Sequence, residues 1–354
     1  MTPSRIKSAV LSFGMSGQVF HAPFLTTNPG FEFYGVWERS KDIAAHKYPG
    51  VTTFRNLEDL LADENIELVI VNTPNAAHYE HAKASLKAGK HVIVEKPFVV
   101  TVTEADELIA LASEKKLLLS VYQNRRYDSD YKAIREIVAK GLLGKIVEAE
   151  FHFDRYKEVL SPKVHKELPG PGTGALYDLG SHIIDQALQL FGWPQSVFGD
   201  VRIVREISSV DDYFEVLLYY PELRVRLHCS YLVREALPAY ILHGTKGSYI
   251  KPKTDVQETE LQEGKLPVGE HWGAEPVGLQ GLLHTEIDGK IVRQETPSFQ
   301  GNYQEYFDAI YAAIRHGEQS PVTAQQGRAV IAIIQAAMRS SAERQLIDVA
   351  DNRY

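Results

Sequence analysis

A lysine, an imidazole and a carboxylate lie in two short segments far apart in the chain. Glu95-Lys96-Pro97 ends one apolar run, and Tyr177-Asp178-Leu179-Gly180-Ser181-His182-Ile183-Ile184-Asp185 reads as the start of a helix. Helical spacing puts Asp178 and His182 four apart on one face, with Asp185 one turn further on. An amine, a ring nitrogen and an acid that converge on one alcohol oxygen suit removal of a proton while a hydride leaves the same carbon. Each residue also has an ordinary reading: Lys96 as surface, His182 as a satisfied core histidine, Asp178 as a first-turn acid. Their company decides for chemistry. Lys96 follows a strand ending at Val94, at the carboxyl edge of a parallel sheet, where open α/β folds bind ligands. His182 follows Asp178, Gly180 and the glycine-rich entry Gly170-Pro171-Gly172-Thr173-Gly174, which leaves room for the helix end to face a ligand. Asp185 is assigned to structure, holding His182 or a neighbouring backbone.

A dinucleotide turn stands near the N-terminus. Ser12-Phe13-Gly14-Met15-Ser16-Gly17 is G-x-G-x-x-G with serine at the first glycine, after a strand (Ala9 to Phe13) and before a helix (Gln18 to Thr26). That context separates it from a turn with incidental glycines. Gly14 lets the backbone approach a pyrophosphate, and the helix N-terminus offers unpaired N–H groups to the anion. Ser12 makes the first turn harder to build. Glu38 lies at about the ~20-residue spacing at which a carboxylate takes the ribose hydroxyls of NAD and repels the 2′-phosphate of NADP. Arg39 and Ser40 beside it pull the other way, since an arginine there pairs with that phosphate or covers the adenine. The balance favours NAD.

At 354 residues two domains are expected. The apolar share of 44% and charged share of 24% are those of a globular chain. A formal charge of −8, with only short basic doublets, argues against a nucleic-acid partner. Cys229 is the sole cysteine, so no intramolecular disulfide forms, and its alternating stretch marks it as a buried small hydrophobe. The histidines are scattered without ligand spacing, so no metal is expected. No secretory signal and no apolar run of about 20 residues is visible, which implies a cytoplasmic setting and no membrane partner.

Residues 1–122 alternate short apolar runs with helical patterns: strands at Ala9 to Phe13, Phe31 to Trp37, Leu68 to Val71, His91 to Val94 and Leu117 to Tyr122, and helices such as Ala77 to Ala88 and Val102 to Lys115. This predicts an α/β architecture, a doubly wound parallel sheet of Rossmann type. From 123 to 354 the pattern changes to α+β, with a mostly antiparallel open sheet and helices on one face. Lys145 to Asp154 and Leu223 to Tyr231 alternate with period two, Tyr213 to Tyr220 is a further strand, and Tyr240 to Ile250 is a hairpin. Helices follow at Tyr131 to Ala139, Tyr303 to His316 and Ala324 to Glu343. Lys251 to about Pro276 reads as a long loop, either plain surface or a lid or subunit contact.

Five ordered blocks carry a resemblance. They are Gly14 to His21, Asn72 to His78, Glu95-Lys96-Pro97-Phe98, Tyr122-Gln123-Asn124-Arg125-Arg126, and Tyr177 to His182. On these the chain resembles the glucose–fructose oxidoreductase/inositol dehydrogenase/MocA (Gfo/Idh/MocA) family of NAD(P)-dependent oxidoreductases over essentially its whole length. Within it, Val121 to Arg126 and Tyr177 to Gln186 are most similar to the bacterial scyllo-inositol dehydrogenase type; Ser12 and Glu38 depart from that pattern. The resemblance implies that Lys96, Asp178 and His182 are the active-site lysine, aspartate and histidine. It places Thr73, Pro74, Asn75 and His78 in the loop beside the cofactor, Glu95 near the nicotinamide ribose, and Gln123 and Asn124 beside cofactor and substrate. Arg155, Tyr156 and Trp272 are substrate candidates by position and polarity. The second domain would supply a substrate-facing sheet whose open face makes a homodimer or homotetramer.

The expected reaction takes a hydride from a secondary alcohol of a cyclic polyol or sugar, with His182 as acid/base, Lys96 stabilising the alkoxide and Asp178 orienting His182 or the substrate. The nearby ammonium disfavours imidazolium and keeps His182 able to accept a proton. Alternative readings are an NAD-dependent glycosidase, which borrows and returns the hydride, and a non-catalytic dinucleotide-sensing regulator, which has no need of Lys96, Asp178 and His182.

Overall fold

A computed structural model describes residues 4–163, 166–297 and 299–350. The chain forms two compact units. The first comprises the residues up to Asn124 with Val256–Trp272 and Asn302–Arg328; the second comprises Arg125–Asp255, Gly273–Gly301 and the chain from Ala329 onward. Against a sequence boundary at 122/123, the first break falls after Asn124 and two later segments return to the first unit. Among the described residues no helix is long and apolar enough to cross a membrane.

In the first unit, strands β1 (Ile6–Val10), β2 (Phe31–Trp37), β3 (Thr52–Phe54), β4 (Leu68–Val71), β5 (His91–Glu95) and β6 (Leu119–Tyr122) form one sheet in the order β3-β2-β1-β4-β5-β6. Every pairing is parallel. All four residues of β4 and of β6 are buried, and β4 accordingly reads as an unbroken apolar run, while β6 carries the single polar Ser120. Between strands run α1 (Ala22–Thr27), α2 (Ile43–Lys47), α3 (Leu57–Ala62), α4 (His78–Lys87) and α5 (Val102–Lys115). Their ends follow local chemistry. Thr101 and Glu104 cap α5 reciprocally, and Gly89 takes φ 77° just beyond α4. The strand order reverses between β1 and β4, the switch point at which doubly wound sheets hold ligands.

The returning segments pack onto this unit through aromatic rings. Phe307, in a helix spanning Gln304–His316, stacks on Phe24 at 5.2 Å, and Tyr306 meets the edge of Tyr122 at 5.0 Å while its hydroxyl bonds Ser120 Oγ at 2.8 Å. The stretch expected as a long loop holds a short helix, Gln257–Gln262. Buried Gln257 accepts the Tyr303 N–H through Oε1 at 2.7 Å, and Leu261 is buried. One buried leucine is too little periodicity for the sequence to announce that helix.

The second unit is a nine-stranded sheet built from β7 (Ile146–His152), β8 (Ser196–Arg202), β9 (Tyr213–Tyr219), β10 (Arg224–Ser230), β11 (Tyr240–Gly244), β12 (Gly247–Lys251), β13 (Leu282–Ile287), β14 (Lys290–Glu295) and β15 (Ile347–Asp348). Its order is β14-β13-β12-β11-β7-β10-β9-β8-β15, antiparallel except for the β7–β10 pair. Alternation along β9 and β10 buries Phe214, Val216, Leu218, Val225, Leu227 and Cys229 on one face. Cys229 sits there as a core side chain, and burial raises its thiol pKa well above the usual range. Helices Ser129–Ala139 and Ser181–Phe191 are among those that cover this unit.

At β8 the helix Ala324–Glu343 comes so close that a Cβ on Gly199 would stand 2.3 Å from the Ala337 carbonyl oxygen. Ser340 Oγ accepts the Gly199 N–H at 2.9 Å, and Ser341 Oγ accepts that of Val201 at 2.9 Å. Gly199→Ala therefore forces helix and strand apart. Urea denaturation should show a loss of about 1–3 kcal/mol, the usual cost of overpacking; wild-type stability would contradict this packing.

Candidate active site

The glycine turn follows β1. A Cβ on Gly17 would lie 2.2 Å from the Ser12 carbonyl oxygen, so only glycine fits, and the Asn72 amide donates to that same oxygen at 2.8 Å. Gly14 is open: a Cβ there meets only Ser12 Oγ at 3.6 Å. The Gln18 amide closes the turn on Phe13 O at 3.0 Å. Gly17–His21 is a π-turn leading into α1, whose Pro23 has no N–H to give an α-helical bond. Beside the turn lies a cleft of about 610 Å³ lined by Phe13, Gly14, Glu38, Arg39, Ser40, Lys41, Thr73 and Pro74, with others. Size, bare Gly14 backbone and position at the strand ends fit a dinucleotide. Met15 is exposed.

Glu38 does not hold its carboxylate ready for a ribose. Its oxygens accept the N–H of Ile43 at 3.3 Å and of Ala44 at 2.9 Å, at the start of α2, and the residue is buried. The first-turn amides attract the acid because they lack helical partners.

At the end of β5, Glu95 Oε1 accepts from Ser16 Oγ at 2.6 Å and meets His21 Nε2 at 2.8 Å. Burial alone would raise the Glu95 pKa, but the His21 and Ser16 contacts outweigh it and hold the carboxyl below its usual value. Half-buried Lys96 is the next residue. The buried His78 ring spans Pro97 O and Thr73 O, each at 2.9 Å, tying the 73–78 loop to the Lys96–Pro97 turn, and Thr73 Oγ1 bonds His81 Nδ1 at 2.9 Å. Burial lowers the His78 pKa. Asn75 opens a short 3₁₀ turn, Asn75–Ala77. Gln123, Asn124 and Trp272 are buried in this unit.

Asp178 and His182 belong to the second unit. Their segment begins as a π-turn, Leu176–Gly180, and becomes α-helical at Ser181–Phe191, so regular four-residue spacing starts only after Asp178. Asp211 Oδ2 accepts the Leu176 N–H at 2.8 Å and anchors the start. The space at Gly174 (φ +97°), the last residue of the glycine-rich entry, is filled by that carboxylate, 1.8 Å from where a Cβ would stand. Asp178 accepts from Lys166 Nζ at 2.9 Å. His182 stacks near-parallel on Phe153 at 6.1 Å. Asp185, expected to hold His182 or a neighbouring backbone, instead pairs with the Arg126 side chain: Nε and Nη2 reach the two carboxylate oxygens at 2.7 and 2.6 Å.

Of the cations over the Phe153 ring on which His182 stacks, Arg155 was a substrate candidate in the sequence, while Arg125 and Lys253 were missed. Arg155, Arg125 and Lys253 lie over the Phe153 ring at 4.8, 5.1 and 5.4 Å. Asp128 pairs with Arg125 at 3.3 Å and with Lys253 at 3.0 Å. Arg125 was visible as part of a basic doublet and of the Tyr122–Arg126 block, without a role of its own, and Lys253 only as a loop residue. The exposed Tyr156 accepts a hydrogen bond from Arg234.

Fold and site together define a dinucleotide-dependent oxidoreductase. The oxidoreductase family model for the NAD-binding Rossmann fold (Gfo/Idh/MocA) matches residues 6–123, and its C-terminal alpha/beta domain model matches 135–349. The chain belongs to this family and is an NAD(P)-dependent enzyme. It is 40% identical over 343 residues to scyllo-inositol 2-dehydrogenase (NADP(+)) IolW of Bacillus subtilis, covering 97% of this chain and 95% of that one. A solved oxidoreductase from Bacteroides fragilis is 46% identical with TM-score 0.89, over 98% of this chain and 100% of that one. The oxidoreductase yvaA from Bacillus subtilis is 39% identical with TM-score 0.94, over 98% of each.

Asp211 gives a pH prediction. Burial, opposed by the Leu176 N–H, pushes its carboxyl up to about 6, above the ordinary value near ~4. The folded chain then holds this proton more tightly than the unfolded one, so its contribution is complete below about pH 4 and is lost as pH rises through about 6. Urea midpoints for Asp211→Asn should lose that component of the wild-type pH dependence; parallel curves would contradict it.

Proposed function

We propose that the enzyme interconverts a secondary alcohol of a cyclic polyol or sugar, inositol-like in shape, with its ketone. The observation that carries this reading is the Glu95–Lys96 pair: the carboxylate that fastens the nucleotide turn is followed directly by the only ammonium of the Glu-Lys-Pro block. A bound nicotinamide supplies the hydride acceptor or donor. Lys96 stabilises charge on the substrate oxygen, His182 takes or returns its proton, and Asp178 sets the protonation and orientation of its neighbours. Support for the polyol class comes from the name of the Bacillus subtilis relative. Self-association through the sheet face left uncovered by its own unit's helices belongs to the same reading.

The cofactor proposed is NADP. Arg39, Ser40 and Lys41 line the cleft where a 2′-phosphate would sit, while the Glu38 carboxylate that would repel it is occupied by the α2 amides. Arg39→Ala should weaken NADPH binding by roughly 10–100-fold, the worth of one charged hydrogen bond, and leave NADH binding nearly unchanged. Equal effects on the two cofactors, read by fluorescence titration, would return the assignment to NAD.

Activity itself is tested by screening inositols, aldoses and lactones with both cofactors at the reduced-nicotinamide absorbance. With a substrate in hand, Lys96→Ala and His182→Ala should each lower kcat by about 10²–10⁴-fold, with dinucleotide affinity kept. Unaltered turnover in both variants removes these roles.

A further inference from the structure

The second unit carries a cluster that the dehydrogenase reading does not use. Strands β7 and β10 run parallel with His152 and His228 as cross-strand partners, and Asp154 follows two residues after His152 on the same face. His228 Nδ1 is 2.9 Å from Asp154 Oδ1, and His152 Nδ1 is 3.4 Å from Asp154 Oδ2. One ligand atom from each residue falls within 4.8 Å of the other two. Yet His152 Nδ1 and Asp154 Oδ2 are buried atoms with no hydrogen-bond partner among the described residues. Native proteins rarely leave two such atoms facing each other without something to satisfy both.

The surroundings prepare these atoms as ligands. Glu150 Oε2 lies 3.2 Å from His152 Nε2, the carboxylate–histidine arrangement that orients metal ligands. The Ser230 N–H fixes the Asp154 carboxylate through Oδ1 at 3.0 Å, and the Tyr213 ring packs edge-on against His228 at 5.4 Å. Two imidazoles and one carboxylate suit a borderline divalent ion such as zinc or cobalt rather than magnesium or calcium.

We propose that His152 Nδ1, His228 Nδ1 and an Asp154 oxygen bind one divalent transition cation, with water completing the set. The histidine spacing gave no hint because His228 reaches the site across a sheet pairing. Binding replaces the contact between His228 Nδ1 and Asp154 Oδ1 with bonds from both atoms to the cation.

The test uses the full chain without an affinity tag, stripped with chelator and dialysed against Zn²⁺ or Co²⁺. Metal analysis should find about one ion per chain, and Co²⁺ should give the visible absorption of a low-coordinate site. His228→Ala and Asp154→Asn should each lower affinity at least ~10-fold, and Glu150→Gln should weaken it in the same direction. NADPH binding serves as the check that each variant is folded, and any one folded variant suffices for the comparison. Failure of the wild-type chain to bind Zn²⁺ stoichiometrically, or equal affinity in the folded variants, overturns the site and shows a hydrogen-bonded ion cluster instead.

Discussion

One half-buried carboxylate organises the nucleotide side of this enzyme. Glu95 closes on Ser16 and His21, at 2.6 and 2.8 Å, from the end of β5. Hydrogen bonds to a charged group contribute about 1.5–3 kcal/mol each where water is excluded. That is enough to keep Glu95 ionised against the cost of burial, the direction its lowered pKa records. The glycine turn and the backbone of Lys96 are thereby tied to one point. His78 adds a second tie from the opposite side, between Thr73 O and Pro97 O.

The second unit uses the same device. Asp211 anchors the Leu176–Gly180 turn through the Leu176 N–H, and Asp185 engages Arg126 with both oxygens behind the helix that carries His182. A buried ion pair of this kind adds little net stability, but removing one partner leaves a stranded charge. Its value is positional. The nucleotide turn and the segment that carries Asp178 both run through a π-turn, which sets a helix start off its regular spacing. A strand-end carboxylate and a helix-start carboxylate thus place groups that propensity alone would leave loose.

Much of this was legible in the chain itself. Apolar runs at Leu68–Val71 and His91–Val94 announced the buried parallel strands β4 and β5, and the period-two alternation from Leu223 to Tyr231 announced β10, a strand with unlike faces. Gly14 announced the bare backbone of the nucleotide turn, while the close approach of Gly17 to the Ser12 carbonyl came only with the structure. What stayed hidden depends on contacts between distant residues. Nothing local in Glu38 tells that it caps α2 five and six residues on, nor in Gly174 that Asp211 fills its space. The ring of cations over Phe153 draws on residues 125, 155 and 253, which no spacing rule connects. The return of Gln304–His316 to the first unit rests on ring packing rather than on any boundary signal.

The Glu95 clasp is tested most directly by NADPH affinity, followed through nucleotide fluorescence on folded Glu95→Ala and Glu95→Gln proteins. Loss of charge-assisted bonds to Ser16 and His21 should raise Kd by roughly 10–100-fold in the alanine variant and by less in the glutamine variant, which keeps one acceptor oxygen. A wild-type Kd in Glu95→Ala would show that the turn holds its shape without this carboxylate, contradicting the account.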